Sequence, residues 1–158
     1  SDNVPESVDT LPKLEHIYLP SGSLLIKGPL GEDAKIVEEC WKAMDGNKEE
    51  SKIPNIFKWV GVEIEQGRVT EINWKGQSLK NSIPEAICKL DALKVLRLPK
   101  NGIGGPIPKA IGDLKNLVSL NLDSNKLTGQ IPDSLQQCKR LQDLIISKNF
   151  LEGTFPDC

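Results

Sequence analysis

The sequence predicts an α/β solenoid, a right-handed superhelix of stacked units, because one pattern returns at a constant interval along its second half. The evenly spaced Asn101, Asn125 and Asn149 set this period. Four further positions repeat at the same step. They are Ile103, Leu127 and Leu151; Gly105, Gly129 and Gly153; Ile107, Ile131 and Phe155; and Pro108, Pro132 and Pro156. A short, fixed period of this kind is typical of proteins that present a binding surface.

Each unit contains an L-x-L step, in which two apolar side chains point inward and the residue between them points outward, as in a β-strand. We expect four units over residues 69–158 and one short parallel strand in each. The predicted strands lie near 70–75, 94–99, 118–123 and 142–147. The first unit is irregular, since Gln77 replaces the asparagine and Asn81 replaces the glycine.

The repeated asparagine is interpreted as structural. Its amide can satisfy backbone groups where the chain turns after each strand, so that stacked units form an asparagine ladder. A ligand-binding role is the less favoured alternative, because the residue recurs with the repeat. The repeated glycine permits a bend, and the repeated proline fixes φ.

The L-x-x-L-x-L-x-x-N-x-L-x-G-x-I-P pattern resembles the plant-type leucine-rich repeat. The resemblance extends to Trp59-Val60-Gly61-Val62 and Gly67-Arg68-Val69-Thr70, and it implies an α-helical N-terminal cap over residues 31–68. The expected cap helix spans 34–44, with Glu32 and Asp33 in its first turn. Its apolar residues recur at helical spacing and are expected to cover the first unit. They are Val37, Cys40, Trp41 and Met44. Binding of a partner or a membrane by this face is the alternative.

Residues 1–30 lie outside the resemblance and are interpreted as an N-terminal extension. Its polar, acidic beginning, residues 1–10, is predicted to be partly disordered. Residues 16–27 could form a hairpin around Pro20-Ser21-Gly22-Ser23. That hairpin either packs on the cap or serves as a docking element.

The composition excludes several classes of protein. A length of 158 residues suits one folding unit, and a net charge of −2 gives no sign of nucleic-acid binding. No apolar run approaches the roughly 18 residues that a membrane-spanning helix needs. The cysteines show neither a Cys-x-x-Cys pair nor metal-ligand spacing, so neither a metal nor a cofactor is expected.

The cysteines also suggest a compartment. The resemblance implies a cysteine directly after Trp-x-Gly-Val in secreted members, but Glu63-Ile64 stands there. The chain also has no Asn-x-Ser/Thr glycosylation site. The four cysteines are therefore expected to be free thiols, and the protein is expected inside the cell, in the cytosol or an organelle. An extracellular location is the less favoured alternative.

Catalysis by this chain is not expected. Its single histidine, His16, lies outside the repeats, so a Ser–His or Cys–His pair would have to use it. The glycines Gly102, Gly104 and Gly105 fall in a repeat turn and do not join a strand to a helix, as a phosphate-binding loop does.

The outward positions of the four strands predict a binding surface on the concave face. Arg97 is the best single anchor by residue type. The predicted partner-binding residues are Glu71, Asn73, Lys75, Val95, Arg97, Pro99, Ser119, Asn121, Asp123, Asp143, Ile145 and Ser147. Four strands span only about 15 Å. A stable partner is therefore also expected to touch the flanks, the loop at 47–53, the N-terminal hairpin or the open C-terminal end.

The function predicted from these features is a non-catalytic protein–protein interaction module, either an intracellular adaptor or a peripheral subunit of a larger assembly. Two alternatives stay open. One is a fragment of a receptor or receptor-like kinase ectodomain that senses a peptide or a glycan. The other is a regulatory domain of a longer enzyme. Because the residue that would close the last unit falls at position 159, we also expect the natural chain to continue past Cys158, or another chain to cover this end.

Overall fold

The computed structural model describes residues 16–18, 24–26, 28–47 and 59–153, with side chains in 31–47 and 59–153. Its elements in chain order are β1 (His16–Tyr18), β2 (Leu24–Ile26), α1 (Gly28–Ala43), β3 (Val62–Glu65), β4 (Arg68–Asn73), β5 (Val95–Arg97), β6 (Gly104–Gly105), β7 (Ser119–Asn121), β8 (Lys126–Leu127) and β9 (Asp143–Ile145). Three short 3₁₀ helices span Glu85–Lys89, Lys109–Asp113 and Asp133–Gln137. The predicted disorder at 1–10 falls outside the described residues.

The main sheet has the order β3-β4-β5-β7-β9. From β4 to β9 its strands are parallel, and each leucine-type position pairs with the equivalent position one period later: Ile72 with Leu96, Leu96 with Leu120, and Leu120 with Leu144. Each of the four predicted windows contains a strand, and the predicted α/β solenoid is confirmed. Strand β3, which pairs antiparallel with β4, was not predicted.

The inward side chains of the stacked strands form one continuous core. Each repeat unit forms one rung of the stack. The leucines of one rung, Leu96 and Leu98, and those of the next, Leu120 and Leu122, are 0–1% exposed. Full burial of a leucine side chain contributes about 1.5–3 kcal/mol. Because each rung buries its leucines against its neighbours, the repeat pattern in the sequence specifies the part of the core that the solenoid itself contributes.

The asparagine ladder is confirmed. The Oδ1 atom of Asn125 accepts a hydrogen bond from the Ile103 amide at 3.2 Å, and its Nδ2 donates to the Leu98 and Leu122 carbonyls at 2.8 and 3.0 Å. Asn101 and Asn149 make the equivalent bonds one rung earlier and one rung later. The ladder therefore binds each rung to the preceding one through otherwise unpaired backbone groups.

The repeated glycine occupies a left-handed backbone position. Gly105, Gly129 and Gly153 have φ angles of 70°, 76° and 84°. Asn81, which replaces this glycine in the first unit, has a φ of 61°, and asparagine tolerates this region better than most residues. Next to these turns, β6 and β8 pair in parallel as a separate two-stranded sheet, which was not predicted.

Helix α1 begins at Gly28, earlier than the expected start near residue 34. Glu32 and Asp33 are therefore not in its first turn, contrary to the expectation from the sequence. Pro29 explains the earlier start, because proline is compatible with the first turn of a helix and lacks only an amide that would be unpaired there.

The helix packs over the first rung of the sheet through aromatic contacts. The ring centroid of Trp41 lies 4.9 Å from that of Trp74 and 6.5 Å from that of Trp59, in edge-to-face geometry. Val37, Cys40, Trp41 and Met44 are buried, as predicted. The apolar face of α1 is thus occupied by the solenoid itself.

At the N-terminal side, β1 and β2 form an antiparallel pair in which His16 lies opposite Ile26. The turn between them lies outside the described residues, and so does most of the loop at 47–53. The N-terminal hairpin and this loop were both considered above as places that a partner touches.

Candidate partner-binding surface

The predicted partner-binding residues are arranged in rows across the main sheet. Glu71, Val95, Ser119 and Asp143 stand in register on β4, β5, β7 and β9, and so do Asn73, Arg97, Asn121 and Ile145. Lys75, Pro99, Asp123 and Ser147 follow at the ends of the four strands. Because inward leucines alternate with these residues, the rows lie on the face of the sheet opposite the core.

Two of the twelve predicted residues contribute little accessible surface. Ser119 and Pro99 are both buried. Each is a short side chain that stands between longer residues in its row: Val95 and Asp143 flank Ser119, and Lys75 and Asp123 flank Pro99. A partner on this face would therefore contact their neighbours.

Arg97, the predicted anchor, is partly engaged within the sheet. Its Nη1 atom lies 3.5 Å from Glu71 Oε1 on the neighbouring strand, and 41% of its side chain is exposed. An exposed pair of this kind contributes at most about 1 kcal/mol. The guanidinium can therefore leave Glu71 for a carboxylate or carbonyl of a partner at little cost.

Asp123 is a fixed anion at the end of β7. Its carboxylate accepts hydrogen bonds from Ser147 Oγ at 2.6 Å and from Ser124 Oγ at 2.8 Å. These bonds, that from Ser147 foremost, hold the pKa of Asp123 below its ordinary value of 3.8. The side chain stays charged and its orientation is set by the next rung.

A hollow of about 400 Å³ lies where β3 ends and where β4 and β5 begin. It is lined by Glu63, Glu65, Thr70, Glu71, Lys94 and Val95. Lys94 Nζ is 2.8 Å from Glu65, which leaves more carboxylate than ammonium charge in the hollow. Glu63 and Glu65 were not among the predicted residues because strand β3 was not predicted; the alternation in Val62-Glu63-Ile64-Glu65 is the signal that could have found them.

The last rung differs from the others in its exposure. Leu141, Leu144, Ile146 and Leu151 are half-buried, whereas their equivalents in the preceding rung are almost fully buried. Ile145 is 44% exposed on the concave face, and Phe150 is 65% exposed in the turn that follows. Two of the three exposed large apolar side chains among the described residues, Ile145 and Phe150, therefore lie at this end of the solenoid.

The described cysteines are poor nucleophiles. Cys40, Cys88 and Cys138 are buried free thiols, and burial raises the pKa of Cys40 and of Cys88 to about 12. Among the described residues, no group of three or more His, Cys, Asp or Glu side chains is placed to hold a metal ion. In the same part of the chain, no helix combines the length and apolarity needed to cross a bilayer.

The parallel strands, the asparagine ladder and the 3₁₀ helices define a leucine-rich repeat solenoid. Residues 91–151 match the family model described as leucine rich repeat. A search of the curated proteins found no match. The match and the structural neighbours below support a plant-type leucine-rich repeat family for this chain.

Several solved structures share this fold. The chain is 31% identical to a chain of the BIR3–SERK2 complex from Arabidopsis thaliana, with a TM-score of 0.58, and the match covers 72% of this chain and 63% of that one. It is 28% identical to the leucine-rich repeat ectodomain of the receptor kinase SOBIR1 from Arabidopsis thaliana, with a TM-score of 0.66 and coverages of 76% and 68%. It is 26% identical to the PEPR1–AtPEP1 structure, with a TM-score of 0.72 and coverages of 78% and 19%.

These neighbours correct one expectation. Receptor-kinase ectodomains and peptide receptors point to an extracellular location, so the predicted intracellular location is wrong. The missing cap cysteine and glycosylation site, on which that prediction rested, were misleading. The chain spans less than two thirds of two of these neighbours, 63% of the BIR3–SERK2 chain and 19% of the PEPR1–AtPEP1 chain.

Proposed function

We propose that this chain is a non-catalytic binding module of the receptor-ectodomain type, and that its concave face binds a peptide or protein partner. The proposal rests above all on the likeness to chains described as complexes with such partners, namely PEPR1–AtPEP1 and the peptide hormone receptor RGFR1 with RGF2. The second of these is 30% identical to the chain, with a TM-score of 0.57 and coverages of 63% and 19%.

The geometry of the concave face supports this function. Rows of mostly polar side chains stand in register at the strand spacing of about 4.8 Å, so a peptide lying across the strands would meet a different side chain at each strand. Arg97 supplies a cation that is only weakly held, and Asp123 supplies a carboxylate fixed by two hydroxyl groups. Together they favour a ligand that carries both a hydrogen-bond acceptor for Arg97 and a hydrogen-bond donor for Asp123.

The twelve predicted residues form too small a surface for a tight protein complex by themselves, since a standard interface uses about 20–30 residues a side. The acidic hollow at β3–β5 extends the concave face at one end, and the apolar last rung extends it at the other. We infer that a partner reaches at least one of these extensions.

The experiment is differential capture from plant extracellular fluid. The chain, its Arg97→Ala variant and its Lys89→Ala variant are immobilised, and bound peptides and proteins are identified by mass spectrometry. Lys89 is the matched control, because it is an exposed cation on a 3₁₀ helix away from the sheet. A partner retained by the chain and by Lys89→Ala, and lost with Arg97→Ala, is the expected result. Partners that bind all three proteins equally would contradict binding through the concave face.

A further inference from the structure

On the concave face, Glu71 stands between a like charge and an opposite charge. In the antiparallel pair of β3 and β4 it lies directly opposite Glu63. Side chains in such a position have Cβ atoms about 4.5–5.5 Å apart, and like charges there destabilise the sheet. From the other side, the guanidinium of Arg97 on β5 approaches the Glu71 carboxylate at 3.5 Å. A single long contact to a cation is thus set against the repulsion between two carboxylates.

The hollow beside this carboxylate pair suits a long basic side chain. Lys94, the cation in its lining, is already paired with Glu65 at 2.8 Å. Thr70 is buried and Val95 is half-buried, so their methyl groups close the inner part of the hollow. Lysine and arginine pack a hydrocarbon stem on such groups while the charged head stays in polar surroundings. A volume of about 400 Å³ leaves room for one side chain of this kind.

We propose that the concave-face partner binds here by an exchange of charges, an inference that rests on the function proposed above. A lysine or arginine of the partner enters the hollow and places its cation between Glu63 and Glu71. Glu71 then no longer holds Arg97, and the freed guanidinium binds a carboxylate of the partner. The occupant is therefore a peptide segment with a basic and an acidic residue close together, selected by charge complementarity at both points.

The spacing of the strands sets the spacing of the two charges in the partner. At about 4.8 Å per strand, β5 lies about 7 Å from the line midway between β3 and β4. Residues i and i+2 of an extended peptide point to the same side and are also about 7 Å apart. A partner with one charge alone has to break the pair of Glu71 with Arg97 and leave one member unpaired. A partner with both charges, separated by one residue, replaces the pair completely.

The exchange is tested by NMR titration of the intact chain with three acetylated and amidated tripeptides. Lys-Gly-Glu carries both charges, Lys-Gly-Gln carries only the cation, and Gln-Gly-Glu carries only the anion. We expect Lys-Gly-Glu to bind about threefold more tightly than either singly charged probe, or better, which is the range of exposed ion pairs. The resonances of Glu71 and Arg97 should shift during the titration.

Glu71→Gln gives effects of opposite sign. It removes the carboxylate that holds Arg97, so it should tighten the binding of Gln-Gly-Glu about twofold or more and weaken that of Lys-Gly-Gln by a similar factor. Glu63→Gln should weaken the two lysine probes and leave Gln-Gly-Glu unchanged. Glu85→Gln is the matched control, because Glu85 is an exposed carboxylate on a 3₁₀ helix away from the sheet. It should change none of the affinities. The amide spectrum of each variant checks that it is folded.

Three results would each overturn the exchange: no binding of Lys-Gly-Glu, equal affinities of the three probes, or effects of the same sign on both singly charged probes in Glu71→Gln. Capture from extracellular fluid with Glu63→Gln added separates this proposal from the function proposed above. A partner lost with Arg97→Ala but retained by Glu63→Gln would overturn the exchange alone. A partner that every variant retains would contradict binding through the concave face.

Discussion

Asp33 on α1 and Arg68 on β4 join the helix to the first strand of the solenoid. Arg68 Nε donates to Asp33 Oδ2 at 2.9 Å, and the same oxygen accepts the Val69 amide at 3.0 Å. Asp33 is almost fully buried, and Arg68 also pairs with the exposed Asp91. These bonds, that with Asp33 first, raise the pKa of Arg68, which remains charged throughout.

Replacement of Asp33 by alanine should therefore lower the free energy of unfolding by about 2–3 kcal/mol, because it removes charge-assisted hydrogen bonds and leaves the buried Val69 amide unpaired. Urea denaturation measures the change. Asp91→Ala is the control, and should cost less than about 1 kcal/mol because that side chain is exposed. Equal costs would mean that the buried carboxylate does not fix the helix.

The two ends of the leucine column should differ in their sensitivity to truncation. Leu120→Ala should cost about 2–5 kcal/mol, as in other packed cores. Leu144→Ala, in the same column on β9, should cost about half as much or less, since its side chain is already half-exposed. Thermal and chemical denaturation of both variants is the measurement. A larger loss from Leu144 would contradict the observed burial.

The asparagine ladder makes a separate prediction. Asn125→Ala leaves the buried Ile103 amide unpaired and removes one of two asparagine donors from the Leu98 and Leu122 carbonyls, to which Asn101 and Asn149 still donate. The substitution should cost about 2–3 kcal/mol, mainly through the unpaired amide. Asn116→Ala is the comparison, because Asn116 bonds to the Asp91 carbonyl on the surface. That variant should lose about 1 kcal/mol or less. A similar loss at both sites would argue against the ladder as a source of stability.

The carboxylate of Asp123 should titrate with a pKa below 3.8. Its folded pKa is lowered, so its contribution to stability is present above the pKa of the unfolded chain and is lost as the pH falls through the folded value. Ser147→Ala removes the main cause and should shift the titration of Asp123 upward. Carbon-detected NMR of the side-chain carboxyl group follows it. An unchanged titration would show that Ser147 does not donate to Asp123 in solution.

The described thiols should be inert in the native protein. In a Cys158→Ser variant, an aromatic disulfide reagent at pH 8 should react with the three remaining thiols only as fast as the chain unfolds, because burial raises the pKa of Cys40 and Cys88 to about 12. The same reagent in denaturant should count all three at once. Rapid native reaction of Cys40 would mean that helix α1 opens readily.

The fold was predictable because its information is periodic. Positions that recur once in every repeat unit can be compared with each other, and the comparison indicates which of them are structural. The strands, the asparagine ladder and the buried leucines could therefore be predicted directly. Elements outside the period were harder. Strand β3 occurs once, and β6 is formed by Gly104–Gly105, residues with little strand preference of their own.

The contacts of individual polar residues could not be predicted in the same way. Asp33 was expected only as a first-turn residue of the cap helix, but its partner Arg68 lies 35 residues away, and only the packing of α1 on β4 brings the two together. The burial of Ser119 likewise follows only from its place between Val95 and Asp143 in the stacked sheet. Contacts of this kind depend on the tertiary arrangement, and the sequence of one repeat unit does not indicate them.

Between α1 and residue 153, the difference between the tightly packed helix end and the half-buried last described rung gives the stack a mechanical polarity. In a linear stack, each rung opens most easily from a side where it lacks full contact. Amide exchange should therefore be slowest near Trp74 and Leu96 and grow faster step by step toward Leu144. Force applied at β9 would detach the described rungs one at a time, whereas force applied through α1 would have to break the tryptophan cluster first.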